Sequence, residues 1–268
     1  MAEHVKPVDG RARSTGGVEI VYGAAGSGET ALVFIHGGLA DRTFWAPQLS
    51  GLADRFRVVT LDLAGHGASG RTRAIWTIPA FGEDVCAVVE ALGLRRVVIV
   101  GNLLGGPVAL EAARRLRGRA IGVAGVDTLH DLTQRIDPAE ARARADAFRL
   151  DFPGACRAMV NMLFHPGTQG ELRAWAEQRM STTPPDVVVR MMEGFAGYDM
   201  AVAARDAGVP IRAINGDLWP TNLERNRTIA PDFDAVVMPG AGHYPMLERP
   251  EEFNRILAEM VEGLKTED

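Results

Sequence analysis

Val97-Val98-Ile99-Val100-Gly101-Asn102-Leu103-Leu104-Gly105-Gly106 is an apolar run that breaks on a glycine-flanked turn and passes directly into a stretch of helical character. Four residues of β-branched type in succession suit a strand buried on both faces, and residues 104–117 suit a helix starting immediately behind it. In a strand, tight turn, helix sequence the apex residue is driven to positive φ, and its neighbours must be small for strand and helix to pass closely. Gly101 and Gly105 meet that need. The apex is Leu103, and the Leu104 N–H belongs to the helix start, where backbone donors lack internal acceptors.

Outward from this elbow, short apolar runs at 18–22, 31–36, 57–61, 121–126, 211–214 and 235–238 read as further strands, with helices expected over 43–54, 77–92 and 251–262. The alternation predicts an α/β fold: a mostly parallel central sheet of about eight strands with helices on both faces. Residues 130–204 interrupt it with amphipathic helical stretches and no strand, which predicts an inserted helical cap on a core made of 1–129 and 205–268. Asp137-Pro138 and Gly208-Val209-Pro210 mark its boundaries as helix breaks. The Met, Phe and Trp residues of this interval, Trp175 and Phe164 among them, are explained by packing as readily as by a ligand.

The chain has 268 residues, 47% of them hydrophobic, and 29 basic residues against 34 acidic give a net charge of -5. Neither sign gathers into a block, which argues against nucleic acid or an anionic membrane as partner and favours a small molecule. Residues 1–17 lack an apolar core of signal-peptide length, and no run reaches the ~18 apolar residues of a membrane span, so a cytoplasmic protein is expected. Cys86 and Cys156 have no metal-ligand spacing and read as free thiols. No cofactor or metal is implied by any cluster, and homodimer formation is left open.

Two further motifs bear on chemistry. His36-Gly37-Gly38 follows a strand, and such a turn can offer a backbone N–H to a developing negative charge. Gly242-His243-Tyr244-Pro245 follows the last strand, where a histidine fixed between glycine and proline suits a general base. The turn Gly65-His66-Gly67-Ala68-Ser69 reads as a structural loop.

Together, in this order and spacing, these motifs make the chain resemble the capped α/β-hydrolase superfamily, in particular its small bacterial esterases and lactonases, over nearly its whole length. The resemblance implies a nucleophile at position 103, His243 as base, an acid after the sixth or seventh strand, and the Gly38 and Leu104 amides as oxyanion hole. Ile214-Asn215-Gly216-Asp217-Leu218-Trp219-Pro220 departs from the family pattern, whose acid position falls on Trp219 without a gap. A shortened turn places it on Asp217, 26 residues before His243, and Asp217 is preferred, with Asp127 as the alternative. Gly37, Leu39, Asn102 and Trp219 on the core, Met162, Met191 and Phe195 on the cap, and Tyr244 beside the base are the expected substrate-binding residues.

Leucine has neither lone pair nor acidic proton, so residue 103 cannot form an acyl-enzyme, and loss of a triad nucleophile costs a factor of ~10⁶ in turnover. Three readings follow: a hydrolase of small apolar esters or lactones by lineage with its nucleophile replaced; a nucleophile-independent enzyme using His243 as base for lyase, decarboxylase, cyclase or cofactor-free oxygenase chemistry; or a small-molecule receptor.

Overall fold

Strands β1 (Val8–Arg13), β2 (Glu19–Ala25), β3 (Ala31–Ile35), β4 (Arg57–Leu61), β5 (Val97–Asn102), β6 (Ala120–Val126), β7 (Ile211–Asn215) and β8 (Asp234–Val237) make one sheet in the computed structural model, which describes residues 7–265. Residues 1–6 and 266–268, parts of the expected core segments, lie outside the described residues. The order is β1-β2-β4-β3-β5-β6-β7-β8, antiparallel for β1/β2 and β2/β4 and parallel from β4/β3 onward. Every residue of β3 and β5 is buried, as central strands covered on both faces require. At one edge β8 leaves Val236 and Val237 exposed, and at the other β1 buries only Ala12. That half-wet pattern is why β1 gives no apolar run to read.

Helices α1 (Ala46–Gly51), α2 (Ile78–Ala91) and α3 (Gly105–Arg115) lie in the first half of the chain. The helix expected over 43–54 is divided, a 3-10 turn at Arg42–Trp45 preceding α1. Thr77 has the extended backbone of an N-cap, but its side chain makes no capping hydrogen bond; proline in the first turn of α2 fixes helical φ instead.

Between β6 and β7 run α4 (Pro138–Leu150), α5 (Phe152–Leu163), α6 (Gly170–Met180), α7 (Pro185–Gly194) and α8 (Met200–Ala207). Their ends follow local chemistry: the carboxylates of Asp137, Asp151 and Asp199 accept first-turn N–H groups of α4, α5 and α8, and Gly208 at φ +64 stops α8. The insertion is fastened to the loop after β3, where Thr183 Oγ1 donates to the Leu39 carbonyl at 3.0 Å and Arg179 pairs with Asp41. Helices α9 (Leu223–Ile229), α10 (Pro245–Glu248) and α11 (Pro250–Lys265) complete the fold. Among the described residues no helix is long and apolar enough to cross a membrane. Cys156 is buried, Cys86 half-buried, and both are free.

Candidate active site

β5 ends at Asn102 and α3 begins at Gly105, and Leu103 between them has φ +50. That region costs a non-glycine residue about 1–2 kcal/mol, so the surroundings must enforce it. A methyl carbon at Gly101 would stand 2.0 Å from the Gly105 carbonyl oxygen, and one at Gly105 would stand 2.5 Å from that of Ile35. Strand and helix therefore touch where the two glycines are. Thr128 Oγ1 donates to the Leu103 carbonyl at 2.9 Å, tying the turn to the loop after β6.

The loop after β8 brings His243 to the same end of the sheet. Its N–H donates to the Leu163 carbonyl at 2.7 Å and its own carbonyl accepts from Asn102 Nδ2 at 2.9 Å. The same amide donates to the Val126 carbonyl, also at 2.9 Å. Asn102 is thus fully buried and braces the end of β6 and the His243 loop from below, a correction to its expected place in the pocket wall.

Asp127 follows β6 at φ +44 with its carboxylate buried. Oδ2 contacts His243 Nδ1, and Oδ1 accepts the Gly216 N–H at 2.7 Å. Asp217, preferred on spacing, is exposed, and its Oδ2 accepts from the Gly240 N–H at 2.8 Å. The carboxylate beside the histidine is that of Asp127, because β6 lies next to β5 in the sheet and delivers its end residue under the His243 loop. Trp219 occupies the neighbouring space as an indole stacked on the imidazole, ring centroids 4.3 Å apart.

With Nδ1 turned to Asp127, Nε2 is the His243 nitrogen toward the cavity. Burial pushes the imidazole well below its ordinary value, while the adjoining carboxylate acts in the opposite sense by favouring the protonated ring. Near pH 7 the ring is a neutral base with a counter-charge ready for the imidazolium.

Leu103, His243 and Trp219 share a cavity of about 440 Å³ with Gly38, Leu39 and Leu104. Met159, Met162, Met191, Met192, Phe195, Tyr198 and Met200 of the insertion supply another wall. Of the expected binding residues, Leu39, Met162, Met191, Phe195 and Trp219 line it, and Gly37, Asn102 and Tyr244 do not. Gly37 packs behind the elbow, where an added methyl carbon would meet Leu103 Cβ at 3.2 Å. Tyr244 is fully buried between the rings of Phe44 and Phe164, at 5.4 and 5.0 Å. Trp175 packs on Phe44 at 4.7 Å, outside the cavity wall. Ser69 bonds the Asp62 carbonyl at 2.6 Å and His66 is buried against His36, so that loop is structural.

His130 was not singled out by sequence, although an aspartate followed three residues later by histidine just past a strand was a readable signal. Its Nε2 stands 3.7 Å from Asp127 Oδ1, its Nδ1 is 3.2 Å from Thr221 Oγ1, and burial lowers its pKa. Asp127, His130 and His243 offer ligand atoms all within 4.8 Å of one another, a grouping that residue spacing in the sequence did not imply.

Known proteins agree with this architecture. A hydrolase of 2-(acetamidomethylene)succinate from Mesorhizobium japonicum is 25% identical over 240 residues, covering 84% of this chain and 85% of the relative. A thermophilic esterase from Thermogutta terrifontis superposes with a TM-score of 0.83 at 27% identity, covering 96% of this chain and 99% of that one. The enol-lactonase from Burkholderia xenovorans LB400 shares the fold with a TM-score of 0.80 at 22% identity, covering 94% and 99%. The model of the alpha/beta hydrolase family matches residues 32–256, from β3 into α11 and so across every element that builds the cavity's base and floor, and the chain belongs to that family.

Proposed function

We propose that this chain is an enzyme of hydrolase descent that takes a small, largely apolar carbonyl compound of the ester or lactone kind and works by proton transfer at His243, without an acyl-enzyme. The observation that carries the reading is the buried Asp127–His243 contact at the wall of a cavity whose apex residue is Leu103. A carboxylate and an imidazole held together away from water cost desolvation energy, which a plain apolar binding pocket does not need.

In this reading the helical insertion is the cap and its methionines hold the apolar body of the substrate. His243 Nε2 accepts a proton from the carbon next to the substrate carbonyl. The electron pair moves onto the carbonyl oxygen, the Gly38 and Leu104 N–H groups stabilise the resulting anion, and Asp127 stabilises the imidazolium. Collapse of the anion expels a leaving group or takes the proton back at another atom. Leu103 fills the place of an attacking oxygen with hydrocarbon, so hydrolysis through a covalent intermediate is closed.

The test uses a panel of small lactones, β-keto esters and aryl esters in deuterated water. The unaltered chain is expected to exchange or convert an activated substrate, His243→Ala to lose that turnover, and Leu103→Ser to gain aryl-ester hydrolysis. Ligand binding that persists unchanged in His243→Ala, with no turnover by the unaltered chain, would mark a receptor and overturn the proposal.

A further inference from the structure

We infer that Asp127, His130 and His243 form a binding site for a divalent transition-metal ion of the zinc class, and that its occupation takes the histidine base out of service. The second half rests on the reading of His243 given above; the first half does not.

Three donors meet here, Asp127 and His130 from the loop after β6 and His243 from the loop after β8, with ligand atoms within 4.8 Å of one another. Asp127 and His243 are buried, and His130 Nε2 is a buried polar atom with no hydrogen-bond partner among the described residues. Zinc holds nitrogen and oxygen ligands at about 2.0–2.2 Å, which puts neighbouring donors roughly 3–3.5 Å apart. His130 Nε2, 3.7 Å from Asp127 Oδ1, already stands near that spacing. His243 Nδ1 needs only to draw back from direct contact with Asp127 Oδ2 to admit the ion.

The surroundings of His130 fix its ring through Nδ1 and leave Nε2 directed at Asp127. Thr221 Oγ1 and Asn215 Nδ2 lie 3.2 and 3.3 Å from Nδ1, and Asn215 Nδ2 also donates to the Thr221 hydroxyl at 2.8 Å. A ligating histidine gives its other N–H to a fixed acceptor, and the Thr221 hydroxyl is in reach of Nδ1 for that once an ion takes Nε2. Two imidazoles and one carboxylate select zinc, cobalt(II), nickel(II) or iron(II) over calcium or magnesium, which want oxygen. Entry is open as well, since His130 lines both the main cavity and an adjoining one of about 580 Å³ with Gln134, Trp219 and Thr221.

Occupation is incompatible with base chemistry at the same ring. A neutral imidazole has one N–H; with the ion on Nδ1 that hydrogen sits on Nε2, the nitrogen that must be bare to accept a proton.

Zinc(II) titrated calorimetrically into the full chain is expected to bind at one ion per chain. Cobalt(II) is expected to give visible d–d bands without a thiolate charge-transfer band. His130→Ala should weaken zinc at least about tenfold and Thr221→Val by a smaller factor, while His165→Ala, at a histidine in the loop between α5 and α6 outside the cluster, leaves it unchanged. Thr221→Val keeps the test readable if His130→Ala fails to fold. Where turnover is measurable, zinc should suppress it in the unaltered chain and not in His130→Ala. Absence of zinc binding up to roughly millimolar concentration, or affinity indifferent to both substitutions, would overturn the site. Neither result bears on the base, because the titration involves no turnover, and a failed His243→Ala test would leave the zinc titration standing.

Discussion

The indole of Trp219 lies against the imidazole of His243, ring centroids 4.3 Å apart and planes inclined by 27°. It covers one face of the imidazole and keeps water off it, and burial is what depresses this histidine. Trp219→Ala should therefore raise the His243 pKa toward its ordinary value, with Trp219→Phe between the two. Histidine ring resonances followed by NMR against pH give the midpoints directly, and an unmoved midpoint in the alanine variant would contradict the account.

The two candidate acids can be separated in a chain given back its nucleophile. In a Leu103→Ser background, Asp127→Asn should cut aryl-ester turnover by ~10³–10⁴, as expected when the residue that fixes the imidazole tautomer is lost. Asp217→Asn should change it only a few-fold, since that carboxylate is spent on the exposed Gly240 N–H. Steady-state kinetics of the two double variants decide the matter, and the reverse ranking would return the role to Asp217.

His66 supplies a prediction about acid. It is fully buried, and desolvation, followed by the neighbouring His36, holds its pKa down at about 3. The unfolded chain takes up its proton near pH 6.5 and the folded chain does not, so stability falls as pH drops below that value. The loss attributable to His66 should be about 1.4 kcal/mol per pH unit, continuing down toward the folded value. Asp62 and Asp84, raised by burial, act in the opposite sense. Urea unfolding of the chain and of His66→Gln between pH 7.5 and 5 isolates the histidine by difference; parallel curves would refute it.

Asn102 braces two backbone carbonyls, those of Val126 and His243. Asn102→Ala removes both donors from a buried place and should cost about 2–4 kcal/mol. The same change in the Leu103→Ser background should lower kcat more than it raises KM, because it loosens the base and not the cavity wall. Denaturant midpoints and kinetics together check this, and a loss confined to KM would put Asn102 back in the pocket.

The elbow was legible because its constraints are local: a β-branched strand, two glycines where strand and helix touch, and a helix start within ten residues. That Gly38, Leu104 and His243 would border one cavity was legible for the same reason, each being set by a strand end and the turn after it. Which carboxylate meets the imidazole was not, because Asp127 and Asp217 follow neighbouring strands and only the sheet order and loop path decide it. Tyr244 misled through proximity in sequence to His243: one step along an extended loop turns a side chain to the other face, here into the Phe44 and Phe164 pair. β1 escaped notice because an edge strand needs no apolar run. His130 was overlooked because its partners Thr221 and Asn215 come from the far side of the insertion.

The left-handed conformation of Leu103 has a consequence for what this scaffold can become. A branched hydrocarbon gains nothing from φ +50, so the geometry there is imposed by Gly101, Gly105 and Thr128 and is indifferent to the side chain presented. Position 103 behaves as a socket. Serine, cysteine or aspartate inserted there would arrive already aimed over the same cavity, which makes the reactivity of this chain exchangeable one residue at a time while the architecture stays fixed.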